Sequence, residues 1–192
     1  MALSENDIKE MFIKAGALKE GHFRLTSGLH SAQYVDKFKI LSKPVFAAPL
    51  LIEMAAPWKD KNIDIVVGPA IGGIILAYEI AHQLETDGIF LERKNGEMTF
   101  TRGFKVEPGQ RVLVVEDVVT TGRSVTEVCE QVSKAGGIIS GISLMVDRSG
   151  GKVKFDPETH ALMTMELEVY DESSCPLCRD GVDLVAPGST GK

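Results

Sequence analysis

Apolar and polar positions along the chain fall into two rhythms. Ile8, Met11, Phe12 and Ala15 recur at helical spacing behind Ser4 and Asp7, which form a capping-box pattern. Gly16 or Gly21 is expected to end that helix region. "HFRLTSG" and "SAQYVDKF" read as short strands around a turn at Gly28. Ser42 fits an N-cap, with Pro44 in the first turn of a helix that runs toward Pro57 and Trp58. Ile63 to Gly68 is a buried strand, and "PAIGGIILAYEIAHQL" gives a Gly-rich turn and then a helix. "GIFLERK" is a strand, and "NGEMTFTRGF" continues it as a hairpin arm turning at Asn95-Gly96. Val112 to Val115 form a greasy strand, and Val125, Val128 and Val132 begin a helical stripe. "GIISGISLMVDRSGG" is a strand ending on Asp147 and Arg148, and "HALMTMELEVYD" is a late strand. The tail, "ESSCPLCRDGVDLVAPGSTGK", reads as loop.

Strands alternate with helices from Ile63 to Asp147. That alternation predicts βαβ crossovers: an α/β fold with a mainly parallel central sheet flanked by helices on both faces. Ligands of such sheets bind at the carboxyl ends of the strands. Three strands end there on unusual sequences: Gly68 to Gly73, Glu116 to Ser124, and Asp147 to Gly151. Their convergence locates a site.

Composition narrows the classes of function. The chain has 192 residues, 44% of them hydrophobic and 25% charged, as expected of one globular domain spanning 1–192. No run of apolar residues is long enough to span a membrane. "MALSENDIKEMFIKAG" is acidic and amphipathic, unlike a signal peptide, so a cytoplasmic location is expected. A net charge of -6 argues against broad nucleic-acid binding, yet it leaves room for a small anion held by local donors.

The stretch "RVLVVEDVVTTGRSVTEV" carries the chemistry. Val118, Val119, Thr120, Thr121, Gly122, Arg123 and Ser124 precede a helix N-terminus, whose N–H groups and dipole suit a phosphate. Thr120, Thr121 and Ser124 add hydroxyl donors. Gly122 permits close backbone approach. The chain has neither the Gly-x4-Gly-Lys-Ser/Thr loop nor the Gly-x-Gly-x-x-Gly turn of nucleotide-binding proteins. Glu116 and Asp117 would repel a phosphate, but they accept hydrogen bonds from sugar hydroxyls and stabilise developing positive charge. A sugar phosphate satisfies both halves. The competing reading is a strand end with two solvated acids and a capped helix.

"VLVVEDVVTTGRS" resembles the signature of the type I phosphoribosyltransferases, which use phosphoribosyl pyrophosphate (PRPP) with Mg²⁺. "FRLTSGLHSAQYVD", "GPAIGG", "ERK" and "DRSGG" resemble, in the same order, segments of the orotate phosphoribosyltransferases. These matches run from about residue 5 to 151. The resemblance implies the family's fold: a PRPP-binding core over about 60–150, a small hood from about 1–40 and the late strands, and a Cys-containing tail over 170–192. It implies transfer of ribose 5-phosphate from PRPP to orotate, with orotidine 5'-monophosphate and pyrophosphate as products. It places Glu116 and Asp117 on the ribose hydroxyls and residues 118–124 on the 5'-phosphate. Gly72 and Gly73 fall on the pyrophosphate side, and Thr120 and Arg148 on orotate. Arg93 and Lys94 would meet the pyrophosphate in a neighbouring subunit, so a homodimer is implied. Catalytic roles fall to Glu116, Asp117 and Lys94, and Mg²⁺ would be bound through PRPP with no direct protein ligand. Thr26 stands where many relatives have lysine. Gly72 takes the place of another, and no lysine or histidine lies between Asn95 and Thr101. Transfer to another acceptor, such as a purine base, and a regulatory protein that binds nucleotide or RNA are the competing readings.

Three cysteines make no disulfide framework. Cys175 and Cys178 form a Cys-x2-Cys pair, half of a zinc site. The pair is either reduced and metal-free, or completed by His160 or by a second subunit's thiolates. Cys129 reads as a packed thiol. His30 lies in the substrate-like segment, whereas His22 and His82 read as surface or structural.

Overall fold

The computed structural model describes residues 3–25 and 27–187. The first helix, α1 (Glu5–Ala15), starts on the expected capping box: Ser4 Oγ accepts from Asp7 N–H, and the Asp7 carboxylate accepts from Ser4 N–H. Gly16, at φ 73°, closes it in the left-handed region. β1 (Leu18–Arg24) and β2 (His30–Val35) form the expected antiparallel pair. Thr26, between them, lies outside the described residues.

The next segment departs from expectation. Lys37–Leu41 forms a short helix, α2, whose C-cap is Ser42. Ser42 is therefore unavailable to start the next helix. Lys43 stands at that N-cap without a side-chain bond, and α3 (Pro44–Ala55) begins on Pro44 and passes into a 3₁₀ turn at Ala56–Trp58.

The rest follows the alternation: β3 (Ile65–Pro69), α4 (Gly72–Leu84), β4 (Asp87–Lys94), β5 (Glu97–Phe100), β6 (Arg111–Val119), α5 (Arg123–Lys134), β7 (Ile138–Asp147) and β8 (Thr159–Thr164). The central sheet has the order β5-β4-β3-β6-β7-β8. All its pairs are parallel except the β4–β5 hairpin, which turns at Asn95 and Gly96, both at positive φ. The tail is more ordered than a loop. β9 (Val169–Tyr170), α6 (Pro176–Arg179) and β10 (Leu184–Val185) follow in turn. β10 pairs with β1 and β9 with β2, giving a second sheet, β10-β1-β2-β9. This is the hood. Two-residue strands are too short to show a period in the sequence, and they form here only because β1 and β2 offer edges.

Valines in β6 alternate between two cores. Leu113 and Val115 face Phe12, Leu50, Trp58 and Leu76, from α1, α3, α4 and the 3₁₀ turn. Val112 and Val114 face Val125, Val128 and Val132 of α5. A strand buried on both faces reads as a continuous apolar run, as this one does. Each buried α5 valine contributes about 1.5–3 kcal/mol.

Trp58, 1% exposed, packs flat against the backbone of β7 at Gly141. A Cβ on Gly141 would lie 2.0 Å from Trp58 Cζ3. An indole ring enclosed on all sides has little room to yield. Gly141→Ala should cost about 1–3 kcal/mol, read as a lower urea midpoint. An unchanged midpoint would mean the ring is not held where described.

Candidate active site

Glu116 and Asp117 lie further inside the fold than the sequence suggested. β6 continues through them to Val119, with Glu116 registered opposite Leu144. Glu116 is 6% exposed and Asp117 1%. They are thus buried acids and not solvated ones. Burial first, and then the Asp117 charge, pushes the Glu116 carboxyl up to about 8. Burial also raises Asp117, against the pull of Lys37, whose Nζ donates to Asp117 Oδ1 at 2.9 Å. Asp117 Oδ2 is buried without a hydrogen-bond partner among the described residues. Buried polar atoms rarely lack partners, so an orphan marks a place for a ligand donor.

The turn after β6 brings its donors together as expected. A cavity of about 200 Å³ is lined by Glu116 and by residues 118–125. Gly122 sits at φ 77°, and a Cβ there would meet Val153 Cγ1 at 2.7 Å, so both conformation and space require glycine. The first N–H groups of α5 have no intrahelical acceptor and open toward this cavity's wall.

A second cleft of about 1520 Å³ adjoins it and shares Val118, Thr120 and Thr121. Arg148, Lys37, Tyr34 and Lys152 line it, and Leu25 and Tyr170 close it from the hood. Arg148 N–H donates to Val119 O at 2.8 Å, which ties the two strand ends together. The Asp147 carboxylate accepts from Ser149 N–H at 2.8 Å and Gly151 N–H at 3.1 Å, which shapes the following loop. Arg148 Nε is buried with no partner among the described residues, and burial lowers the guanidinium's affinity for its proton. A fixed, half-buried cation with an unused donor suits a planar anion.

Gly72 and Gly73 approach from β3. A Cβ on Gly72 would fall 1.6 Å from Asp117 Oδ2, and one on Gly73 3.0 Å from the Gly68 carbonyl carbon. The Ala70–Ile71 peptide between strand and helix is cis. Gly72 and Gly73 border the acids but line neither cleft.

Arg93 and Lys94 do not join this group. They stand at the exposed end of β4. Arg93 pairs with Glu127 of α5, which also accepts from Arg123 Nε at 2.7 Å and is held below its usual value, chiefly by Arg93. On the same arm, Arg102 and then Thr101 pull Glu92 down to about 2.

Sequence reasoning missed Lys37, Tyr34 and Lys152. Lys37 could have been suspected, because two adjacent buried acids need a counter-charge. Its position beside Asp36 gave no pattern of its own. His160 lies exposed on β8, away from the cysteines. Instead His22 and His30, both buried, gather with Cys175 and Cys178. Cys129 is half-buried, and burial pushes its thiol up to about 11.

The parallel sheet, its Thr-Thr-Gly turn and the acids before it define a phosphoribosyltransferase-type protein, and the phosphoribosyl transferase domain family matches residues 50–171. Orotate phosphoribosyltransferase from Pelotomaculum thermopropionicum is 48% identical over 187 residues, covering 97% of this chain and 98% of the relative. The chain belongs to the orotate phosphoribosyltransferase family. Among solved structures, UMP synthase of Leishmania donovani superposes with a TM-score of 0.69 at 20% identity, covering 84% of this chain; the chain spans 36% of that protein's length. Adenine phosphoribosyltransferase from Rhodothermus marinus superposes with a TM-score of 0.63 at 20% identity, covering 82% of this chain and 99% of that one. At these identities the likeness shows the fold alone, and the fold is shared across different bases.

The acid pair makes stability depend on pH. Glu116 keeps its proton up to about 8 when folded, but loses it near 4.5 when unfolded. Its contribution is therefore full below 4.5 and declines as pH rises toward 8. Glu116→Gln should flatten the fall in stability across that window, where one such group imposes up to about 1.4 kcal/mol per pH unit. Urea unfolding at several pH values checks this, and identical slopes in both proteins would contradict it.

Proposed function

We propose that this chain transfers the ribose 5-phosphate group of PRPP to orotate in pyrimidine synthesis, with the residues of the two adjoining cavities dividing the work. Orotate N1 attacks C1' of PRPP and gives up its N–H proton, the C1'–O bond breaks, and pyrophosphate leaves with the bonding electrons, its oxygens able to take up that proton. The observation that carries this reading is Arg148: a half-buried guanidinium whose buried Nε has no partner among the described residues, in a cleft that shares Thr120 and Thr121 with the phosphate turn. Orotate's carboxylate and carbonyls match that donor, and a neutral purine offers it no anion.

The 5'-phosphate sits in the turn from Val118 to Ser124, on helix N–H groups and hydroxyls. The ribose hydroxyls lie over Glu116 and Asp117. As the bond to pyrophosphate breaks, C1' becomes positive; Asp117, shielded from water, stabilises it, while Glu116, which keeps its proton up to about 8, hydrogen-bonds the ribose hydroxyls. Lys37 holds Asp117 in place. Gly72 packs closely against Asp117 and Gly73 against Gly68, and together they bring the backbone at the start of α4 to the pyrophosphate side. Mg²⁺ would be held through the oxygens of PRPP, with no direct protein ligand, and would supply positive charge at the pyrophosphate.

Arg93 and Lys94 act across a homodimer. Neither residue lines either adjoining cavity of its own chain, which supports this, as does an exposed apolar surface on α3 and α4: Val45 and Tyr78 are 74% and 75% exposed, with Ile71 and Ile75 beside Tyr78. The enzyme works in the cytoplasm. No helix among the described residues is long and apolar enough to cross a membrane.

Two substitutions test the division of labour. Asp117→Asn should lower kcat about 10²–10³-fold while the protein stays folded by circular dichroism; an unchanged kcat would remove Asp117 from the ribose. Arg148→Ala should raise the KM for orotate about tenfold or more and leave PRPP binding as it was. Equal effects on both substrates would show that Arg148 is not the orotate contact.

A further inference from the structure

The described residues contain one gathering of metal-ligating side chains, outside the two cavities. His22 on β1, His30 on β2, and Cys175 and Cys178 flanking the first turn of α6 present ligand atoms that all lie within 4.8 Å of one another. His22 Nε2 is 3.5 Å from Cys175 Sγ and 3.7 Å from Cys178 Sγ. His30 Nδ1 is 3.3 Å from Cys178 Sγ and 2.9 Å from His22 Nε2. A tetrahedron with zinc–sulfur bonds of about 2.3 Å and zinc–nitrogen bonds of about 2.0–2.1 Å has edges of about 3.3–3.8 Å. Three of the four sulfur–nitrogen edges, at 3.5, 3.7 and 3.3 Å, fall in that range. The nitrogen–nitrogen edge is shorter and would open slightly around an ion.

The geometry points to a structural zinc site with His22 Nε2, His30 Nδ1, Cys175 Sγ and Cys178 Sγ as its four ligands. Four protein ligands leave no open position, the mark of a structural site. The orientation of His22 supports it. Val182 O can only accept, so His22 Nδ1 carries the proton and donates to it at 2.8 Å. The lone pair on Nε2 then faces the thiols, and a backbone carbonyl fixes the ring as in other metal sites. His22, His30 and Cys175 are buried, at 2%, 1% and 3% exposure, while Cys178 lies on the open side, where an ion can enter. Both cysteines bind as thiolates, releasing two protons and balancing the charge of Zn²⁺.

The hood needs such a tie. Its outer strands, β9 and β10, have two residues each, and Leu184 and Val185 remain exposed. So small a sheet buries little apolar surface of its own. The ion would fasten the C-terminal segment to β1 and β2, which carry one wall of the larger cleft. This site does not depend on which base the enzyme uses.

Metal content of the full-length protein, purified without chelator, is the test. We expect about one zinc per chain by plasma mass spectrometry, and a loss of most of it in the Cys175→Ser/Cys178→Ser double variant. Should that variant fail to fold, Co²⁺ titrated into metal-stripped wild type gives an independent answer. One equivalent should produce the intense visible bands of tetrahedral Co²⁺ and thiolate charge transfer, and Zn²⁺ should abolish them and raise Tm. Less than about a tenth of a zinc per chain with no such bands would overturn the site, leaving a hydrogen-bonded histidine pair beside reduced thiols. Full zinc in a folded double variant would overturn it, as would about half a zinc per chain, the value for an ion shared by two copies.

Discussion

Two carboxyl groups, Glu116 and Asp117, are buried inside a strand that is otherwise mostly valine. Burying adjacent acids is costly unless something compensates them. The surrounding structure is arranged to do so. Lys37 reaches across from the short helix after β2 to neutralise Asp117. The Asp117 N–H donates to Glu116 Oε1 at 3.0 Å. A proton retained on Glu116 relieves the remaining repulsion. Gly72 presses its backbone against Asp117, so only a residue without a side chain fits there. The strand end thus holds a protonated acid beside a Lys37-paired Asp117, both fixed in place by their neighbours, and groups fixed in advance can act without reorganising at the moment of reaction.

Around this pair the chain assembles two unlike surfaces. The helix N-terminus and its hydroxyls line a small cavity suited to an anion. The cleft beneath the hood combines a half-buried guanidinium with apolar and aromatic walls. Their shared residues, Thr120 and Thr121, hold the two halves of a reaction next to each other. Adjacent placement accounts for much of the rate a transferase can gain, since it replaces a bimolecular encounter with a positioned one. The β6–β7 ladder, which ends in the hydrogen bond from Arg148 N–H to Val119 O, holds the halves together.

Much of this was legible in the sequence, and the reasons are physical. The central sheet showed itself because strands buried on both faces write continuous apolar runs, and crossover helices write a 3.6-residue stripe between them. The turn before α5 was legible because hydroxyl residues and a glycine mark a helix start. Lys37 was not legible: it stands 80 residues from Asp117 in the chain, and only folding brings them together. Ser42 misled because a serine before a helical proline fits an N-cap, while the short helix ahead of it already used that residue as a C-cap. The tail misled for a related reason. Two-residue strands exist only by pairing with partners elsewhere, and the histidines that meet the cysteine pair come from the opposite end of the chain.

The account stands most directly on the reaction itself. The loss of orotate absorbance should be followed with purified protein, PRPP and Mg²⁺, with adenine, guanine, hypoxanthine and uracil run in parallel for nucleotide formation. Orotate consumption that requires both PRPP and Mg²⁺, with the other bases left unconverted, is the predicted result. Conversion of a purine in place of orotate, or no turnover of any base, would contradict it.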